Sequence, residues 1–153
     1  NVVLIPNMGA RGVVADLAWL DGTLPAEELA KLQEANKEAP PAQKAYGIQA
    51  RNLKKLADAG MTIAFGTDGN TPWAPHVEME DMVLSGMTPA QVLVSATRNA
   101  AAVAGFSDQG TLEAGKSADF VVLDANPLDD ITNTRKIADV YLRGEKVDRA
   151  AYP

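Results

Sequence analysis

Thr62-Ile63-Ala64-Phe65-Gly66-Thr67-Asp68-Gly69-Asn70 is the stretch whose reading decides the fold of this chain. Thr62 to Phe65 is a short apolar run of strand formers that stops at a glycine and then reaches a carboxylate. Two readings follow. Asp68-Gly69 is the residue pair of an ordinary turn. Equally, a buried strand delivers an acid to the rim of a parallel sheet, where ligands and catalytic groups collect at the C-terminal strand ends.

Working outward, the preceding Val2-Val3-Leu4-Ile5 is a second β-branched run, closed by the breaker Pro6-Asn7. Between the two strands the pattern is helical. Val13, Val14, Leu17, Ala18 and Leu20 have roughly helical spacing and predict a helix over 11–20, ended by Asp21-Gly22. Pro25 opens a clearer helix with Glu27 and Glu28 in its first turn, where the dipole favours acids, running toward Pro40-Pro41. A further helix is expected from Ala42 to about Asp58, with Ile48, Leu53 and Leu56 inward and Gly60 as its stop.

Beyond Asp68 a loop from Gly69 to Pro75 contains Asn70 and Trp73, and His76 leads into a helix expected over 77–85. Gly86 stops it. Thr88-Pro89-Ala90-Gln91 has the form of a capping box, and starts an alanine-rich helix toward Gly105 whose small residues imply close packing. From Gly110 the helical period gives way to short strands: Phe120 to Leu123, then Val140 to Leu142 as one arm of a hairpin through Arg143-Gly144-Glu145 to Lys146-Val147. The order predicts part of an α/β layer over 1–105 followed by a β-rich appendix over 106–153.

A length of 153 residues with 46% apolar content fits one domain, or one and a fraction, with a real core. The net charge of −6 argues against a nucleic-acid partner, and leaves cations and small molecules as the expected ligands. No cysteine is present, which removes disulfides, thiolate metal sites and a cysteine nucleophile. No apolar run is long enough to span a membrane, and residues 1–6 do not resemble a signal peptide, so a cytoplasmic setting is the default expectation. The first residue is not Met, which fits a processed or excised piece.

Asp68, His76, Glu78 and Glu80 are close enough in sequence to raise a metal site. His76 is the only histidine, so a self-contained transition-metal centre is not expected, although carboxylates alone hold Mg or Ca ions weakly. His76 is read either as a ligand or substrate contact or as a structural residue at the helix entry. Glu78 and Glu80 are placed in the first turn of that helix. Trp73 reads as a lid or packing residue, or as a substrate platform. No Gly-x-Ser-x-Gly turn accompanies His76, and neither a phosphate-binding glycine loop nor aromatic residues alternating with basic ones are present.

Three pieces together resemble the amidohydrolase superfamily of metal-dependent hydrolases. They are Asn52-Leu53-Lys54-Lys55-Leu56 through Ala59-Gly60 with Phe65-Gly66-Thr67-Asp68; Gly86-Met87-Thr88-Pro89 with Ala96-Thr97-Arg98-Asn99-Ala100-Ala101; and Gly110-Thr111-Leu112-Glu113-Ala114-Gly115-Lys116-Ser117-Ala118-Asp119-Phe120-Val121-Val122-Leu123-Asp124. Their order and spacing make the set specific, and the likeness is strongest from Asn52 to Val147. It is similar to the C-terminal third of enzymes in the prolidase-like and imidazolonepropionase-like group.

The resemblance implies a fold and a chemistry. Val2 to Ile5 and Thr62 to Thr67 would be the last two strands of a (β/α)8 TIM barrel, and the segment after Gly110 would be part of a small β-sandwich. Asp68 would be a metal ligand that also moves a proton from the attacking water to the leaving amine; apart from the resemblance, Asn70, Trp73 and His76 in the loop after it are the candidate substrate contacts. The cofactor would be a divalent metal, zinc by analogy. The family's paired His-x-His, its bridging lysine or glutamate and its later histidines have no counterpart here, so the metal centre would be incomplete in this chain. The expected partners are a small-molecule substrate and either a second copy or the missing barrel segment, with no nucleic acid and no membrane. The alternatives are a non-catalytic structural or oligomerisation module and a small-molecule binding domain keeping the same fold elements.

Overall fold

The structure, a computed structural model, describes residues 2–69 and 71–151. Its contacts fall into two compact units: residues up to Met8 together with Ala50 onward, and Gly9–Gln49. The expected division after residue 105 falls within the first of them.

In the Gly9–Gln49 unit the predicted helix over 11–20 is absent, and only a 3-10 turn, Ala18–Leu20, forms. The reason lies in where the backbone groups go. The Val14 N–H donates to Glu38 Oε1 at 3.2 Å, and the Gly12 carbonyl accepts from the Ala39 N–H at 2.8 Å and from Gln43 Nε2 at 2.9 Å. Asn36 takes both backbone groups of Ala15, accepting at 2.8 Å and donating at 2.6 Å. Groups bound in this way cannot close i to i−4 rings. The same pairing explains why helix α1, Ala26–Ala35, ends at Asn36 instead of reaching Pro40. Its start agrees with expectation: Pro25 precedes it and Glu27 and Glu28 occupy its first turn.

Helix α2, Pro40–Asp58, starts slightly earlier than predicted, because prolines at a helix start lose no hydrogen bond. Of its expected inward residues Leu53 is buried and Leu56 half-buried, whereas Ile48 is exposed.

In the other unit, β1 (Val3–Leu4) and β2 (Thr62–Ile63) pair in parallel, Val3 opposite Thr62 and Leu4 opposite Ile63. The ladder continues one residue further, with the Ala64 N–H donating to the Leu4 carbonyl at 2.9 Å. Helix α3, Ala74–Leu84, begins earlier than the expected 77, since Pro75 is tolerated in a first turn. Glu78 and Glu80 therefore lie beyond that first turn, which contains no acid, contrary to expectation.

The capping box at Thr88 is present in full: its Oγ1 accepts from the Gln91 N–H at 3.2 Å, and Gln91 Oε1 accepts from the Thr88 N–H at 2.8 Å. It starts α4, Pro89–Val94, which passes through a π turn, Ser95–Asn99, into α5, Ala100–Val103. The close packing implied by the alanines is seen at Ala101, where a Cβ added to Gly110 would lie 2.7 Å from the alanine Cβ.

A second, antiparallel sheet has the order β3 (Phe120–Leu123), β4 (Ile137–Leu142), β5 (Glu145–Lys146). Arg143 and Gly144, at φ 54° and 84°, make the two-residue hairpin turn whose left-handed residues match the twist of the strands. A 3-10 helix, Ile131–Arg135, precedes β4.

The core of this unit gathers Leu53 of α2, Ile63 of β2, Met79 and Met82 of α3, Met87, Val92 of α4 and Ile131. Met82 and Val92 are 0% exposed, and each such side chain contributes about 1.5–3 kcal/mol by leaving water. One consequence matters for function. β2 is held from below by its own buried Ile63 and Ala64, so its C-terminal end projects from a fixed base.

Candidate functional site

Asp68 lies five residues beyond Ile63, the last residue of β2, which is shorter than the expected run to Phe65; it is exposed, with φ 48°. Thr67 Oγ1 spans it, lying 3.3 Å from the Gly69 N–H and 3.2 Å from the Gly69 carbonyl. Aspartate tolerates the left-handed region better than most residues, which suits it to a turn apex. Both sequence readings of Asp68 are thus met in one geometry: a turn, and an acid presented beyond a parallel strand. Its carboxylate makes no hydrogen bond or ion pair among the described residues.

The other acids and His76 do not converge on it. Within α3, His76 and Glu80 are i and i+4 and share a face. That face meets the 3-10 helix Ile131–Arg135. His76 Nδ1 lies 3.1 Å from Thr134 Oγ1, and Glu80 is ion-paired with Arg135. Because the buried Thr134 hydroxyl donates to the Ile131 carbonyl at 2.9 Å, its oxygen accepts from the imidazole, which fixes the proton of the neutral ring on Nδ1. Burial first, and then the Arg135 guanidinium, hold the imidazole below its ordinary pKa. His76 is therefore kept as a neutral donor tying α3 to the segment before β4.

Glu78 points the other way. It is buried, and its two carboxylate oxygens lie 3.0 and 2.9 Å from the Met8 N–H, just past the end of β1. Burial pushes its pKa up, and the Met8 hydrogen bond partly offsets this. Trp73 is half-buried at the entry to α3, its carbonyl accepting the His76 N–H at 3.1 Å. Asn70 lies outside the described residues.

Among the described residues no group of three or more His, Asp or Glu side chains comes together to hold a metal ion. His76, Glu78 and Glu80 have their own partners, and Asp68 is the one acid of that set presented outward. These residues do not by themselves fit a divalent-metal centre.

Two features escaped the sequence reading. Asn99, in the π turn, donates Nδ2–H to the Ile63 carbonyl at 2.7 Å. In this register Ile63 turns its backbone groups away from β1, so Asn99 covers part of the outer edge of β2. Asn7, at the end of β1, is also left-handed, with φ 42°. Periodicity carries neither signal, because both depend on contacts made across long sequence separations.

Comparison with known proteins places this geometry in a family. The model of the amidohydrolase family matches residues 7–147. The imidazolonepropionase of Deinococcus radiodurans is 35% identical over 109 residues, which is 66% of this chain and 27% of that protein. Among solved structures, a putative prolidase from Bifidobacterium longum superposes with a TM-score of 0.67 at 31% identity, covering 96% of this chain and 35% of the other. A Xaa-Pro dipeptidase with bound methionine gives a TM-score of 0.62 at 28% identity, over 77% of this chain and 31% of that one. The chain spans about a quarter of the length of the curated relatives it matches, 27% in the two Deinococcus proteins. With the family model matched over nearly its whole length, the chain belongs to the amidohydrolase family.

Proposed function

We propose that this chain supplies the proton-transferring carboxylate, Asp68, of a hydrolase acting on an amide, cyclic amide or other C–N bond. The observation that carries this is the presentation of Asp68: an exposed acid at the apex of a turn beyond a parallel strand, unengaged among the described residues. An ionised carboxylate there can take a proton from an attacking water and return it to the departing amine. The named relatives act in the same chemical direction, being an imidazolonepropionase and a Xaa-Pro dipeptidase.

A divalent ion, zinc by family resemblance, lowers the pKa of a bound water when present. In this reading Asp68 is one of its ligands and the others come from outside the chain. Residues 1–105 are then the last two β/α units of a TIM barrel and residues 106–153 a share of a β-sandwich. Asn70, Trp73 and His76 border the substrate in that reading, with His76 acting through its hold on α3. Among the described residues β1 and β2 form a two-stranded sheet, and Val2 and Ile5 are exposed, which supports covering of the open edge of β1 by a second copy or by the remaining barrel segment.

The test is Asp68→Asn in the full-length, metal-loaded protein, assayed with a Xaa-Pro dipeptide and with imidazolonepropionate. Loss of kcat by about 10²–10⁴ with KM little changed is expected. Wild-type inactivity on both probes, or full activity of the variant, overturns the proposal. Solution mass distinguishes self-association from a monomer.

A further inference from the structure

We propose that Asn7 is a specificity-determining residue of the same site, its carboxamide contacting the substrate beside Asp68; this rests on the hydrolase reading above. Parallel register places Asn7 opposite Gly66, three residues beyond the Leu4–Ile63 pair and two residues before Asp68. The contact is real as well as formal. A Cβ added at Gly66 would lie 2.7 Å from Asn7 Oδ1 and 2.6 Å from Ile5 Cγ2, inside any allowed separation. Gly66 has no left-handed φ to require glycine. What requires it is room for the Ile5 and Asn7 side chains beside the strand end.

Two further devices hold Asn7 in place. Its backbone is left-handed, a conformation asparagine adopts more readily than most residues. The next N–H, that of Met8, is gripped by both oxygens of the buried Glu78. The left-handed turn and the Glu78 contact set the backbone on which Asn7 is carried, and Gly66 leaves room beside its side chain. That side chain is exposed and makes no hydrogen bond among the described residues. A polar side chain placed over the strand end two residues before Asp68, and left without a protein partner among the described residues, is open to contact by a ligand at that acid.

The chemistry of the ligand group follows from the pair. Oδ1 is the carboxamide atom turned to Gly66, so Nδ2 offers donors on the side away from the strand. Asp68 accepts hydrogen bonds and repels anions, whereas Asn7 is a neutral donor. Together they accommodate a substrate that presents a neutral acceptor oxygen, such as an amide carbonyl, next to the nitrogen that must be protonated.

The test compares Asn7→Gly, which keeps the left-handed turn and deletes the carboxamide, with Asn7→Asp, which keeps the shape and replaces the donor with a charge. Both are measured in the full-length, metal-loaded protein on a Xaa-Pro dipeptide and imidazolonepropionate, alongside Asp68→Asn. For Asn7→Gly, a fall in kcat/KM of about tenfold or more is expected, carried by KM. For Asn7→Asp, a larger fall in kcat/KM is expected, because the donor is replaced by a charge that repels the substrate's acceptor oxygen. Gly66→Ala displaces both Ile5 and the Asn7 carboxamide, so its KM should rise at least as far as that of Asn7→Gly. A purely structural role would lower the melting temperature and leave KM in place; that result, with wild type active and Asp68→Asn inactive, overturns this inference alone. An inactive wild type overturns the hydrolase reading together with it.

Discussion

Glu78 and Met8, seventy residues apart, meet with both carboxylate oxygens about one backbone N–H, at 3.0 and 2.9 Å. The contact joins the middle of α3 to the loop leaving β1, and it does so with a buried acid whose charge is not matched by a basic partner at that point. The sign of its pH effect can be worked out. Its pKa in the folded chain is raised, so the stability it contributes is full below the ordinary glutamate value and is lost as pH rises through the folded value. Glu78→Gln keeps an acceptor for Met8 and removes the buried charge. It should match or exceed wild type in thermal stability at neutral pH, with the advantage vanishing toward pH 4. Glu78→Ala should cost about 2–4 kcal/mol at acid pH, through an unpaired N–H and a cavity, and less at neutral pH, where the wild type carries the buried charge. Denaturant titrations of the three proteins at acidic and neutral pH decide it, and a Gln variant as unstable as the Ala variant would refute the account.

His76 has the opposite sign. Its folded pKa lies below the ordinary histidine value, mainly through burial and secondly through Arg135, so its contribution is present above pH 6.5 and is lost as pH falls through the folded value. The groups around it fix the sense. Thr134 offers only an oxygen, and the nearby Arg135 charge disfavours a second cation, even though Glu80 neutralises part of it. As the single histidine, it gives one imidazole titration by NMR. A midpoint below 6.5 is expected, along with stability that declines on acidification in wild type and more weakly in His76→Asn. A midpoint at or above 6.5 would show that the ring is not held neutral.

Much of this could be read from residue order, and the failures have a common cause. Local signals succeeded: the strand before Asp68, the capping box at Thr88 and the hairpin turn at Arg143-Gly144 each depend on residues within a few positions of one another. The helix expected over 11–20 failed because Glu38, Asn36, Ala39 and Gln43 claim its backbone groups from more than twenty residues away. The site divided along the same line. The exposed position of Asp68 was legible because it comes a few residues after its strand and is followed by glycine. The dispersal of His76, Glu78 and Glu80 was not, since their partners Thr134, Met8 and Arg135 lie 55–70 residues distant in sequence.

Thr88 provides a local test. Its hydroxyl and the Gln91 side chain satisfy each other's backbone N–H groups at the start of α4. Thr88→Ala should cost about 1 kcal/mol and Thr88→Ser nearly nothing, by chemical or thermal denaturation. Because the cap lies on the surface, neither substitution should alter the response to Asp68→Asn.

Asn99 reaches Ile63 from a turn that departs from the regular α-helical repeat. Its donor meets a carbonyl that the β1–β2 ladder leaves unused, on the strand that carries Asp68. Asn99→Ala leaves that carbonyl without its partner and should cost about 1–3 kcal/mol. Asn99→Asp is the sharper experiment, since it preserves size while placing a carboxylate oxygen against a carbonyl oxygen. At neutral pH it should be at least as destabilised as the alanine variant. On acidification the carboxyl gains a proton, can donate to the Ile63 carbonyl, and should recover part of the lost stability, because a carboxylate facing an acceptor has a raised folded pKa. Thermal melts at pH 4.5 and 7.5 separate these cases. If Asn99→Asp shows no recovery relative to Asn99→Ala, the hydrogen bond to Ile63 is not what holds the outer edge of β2.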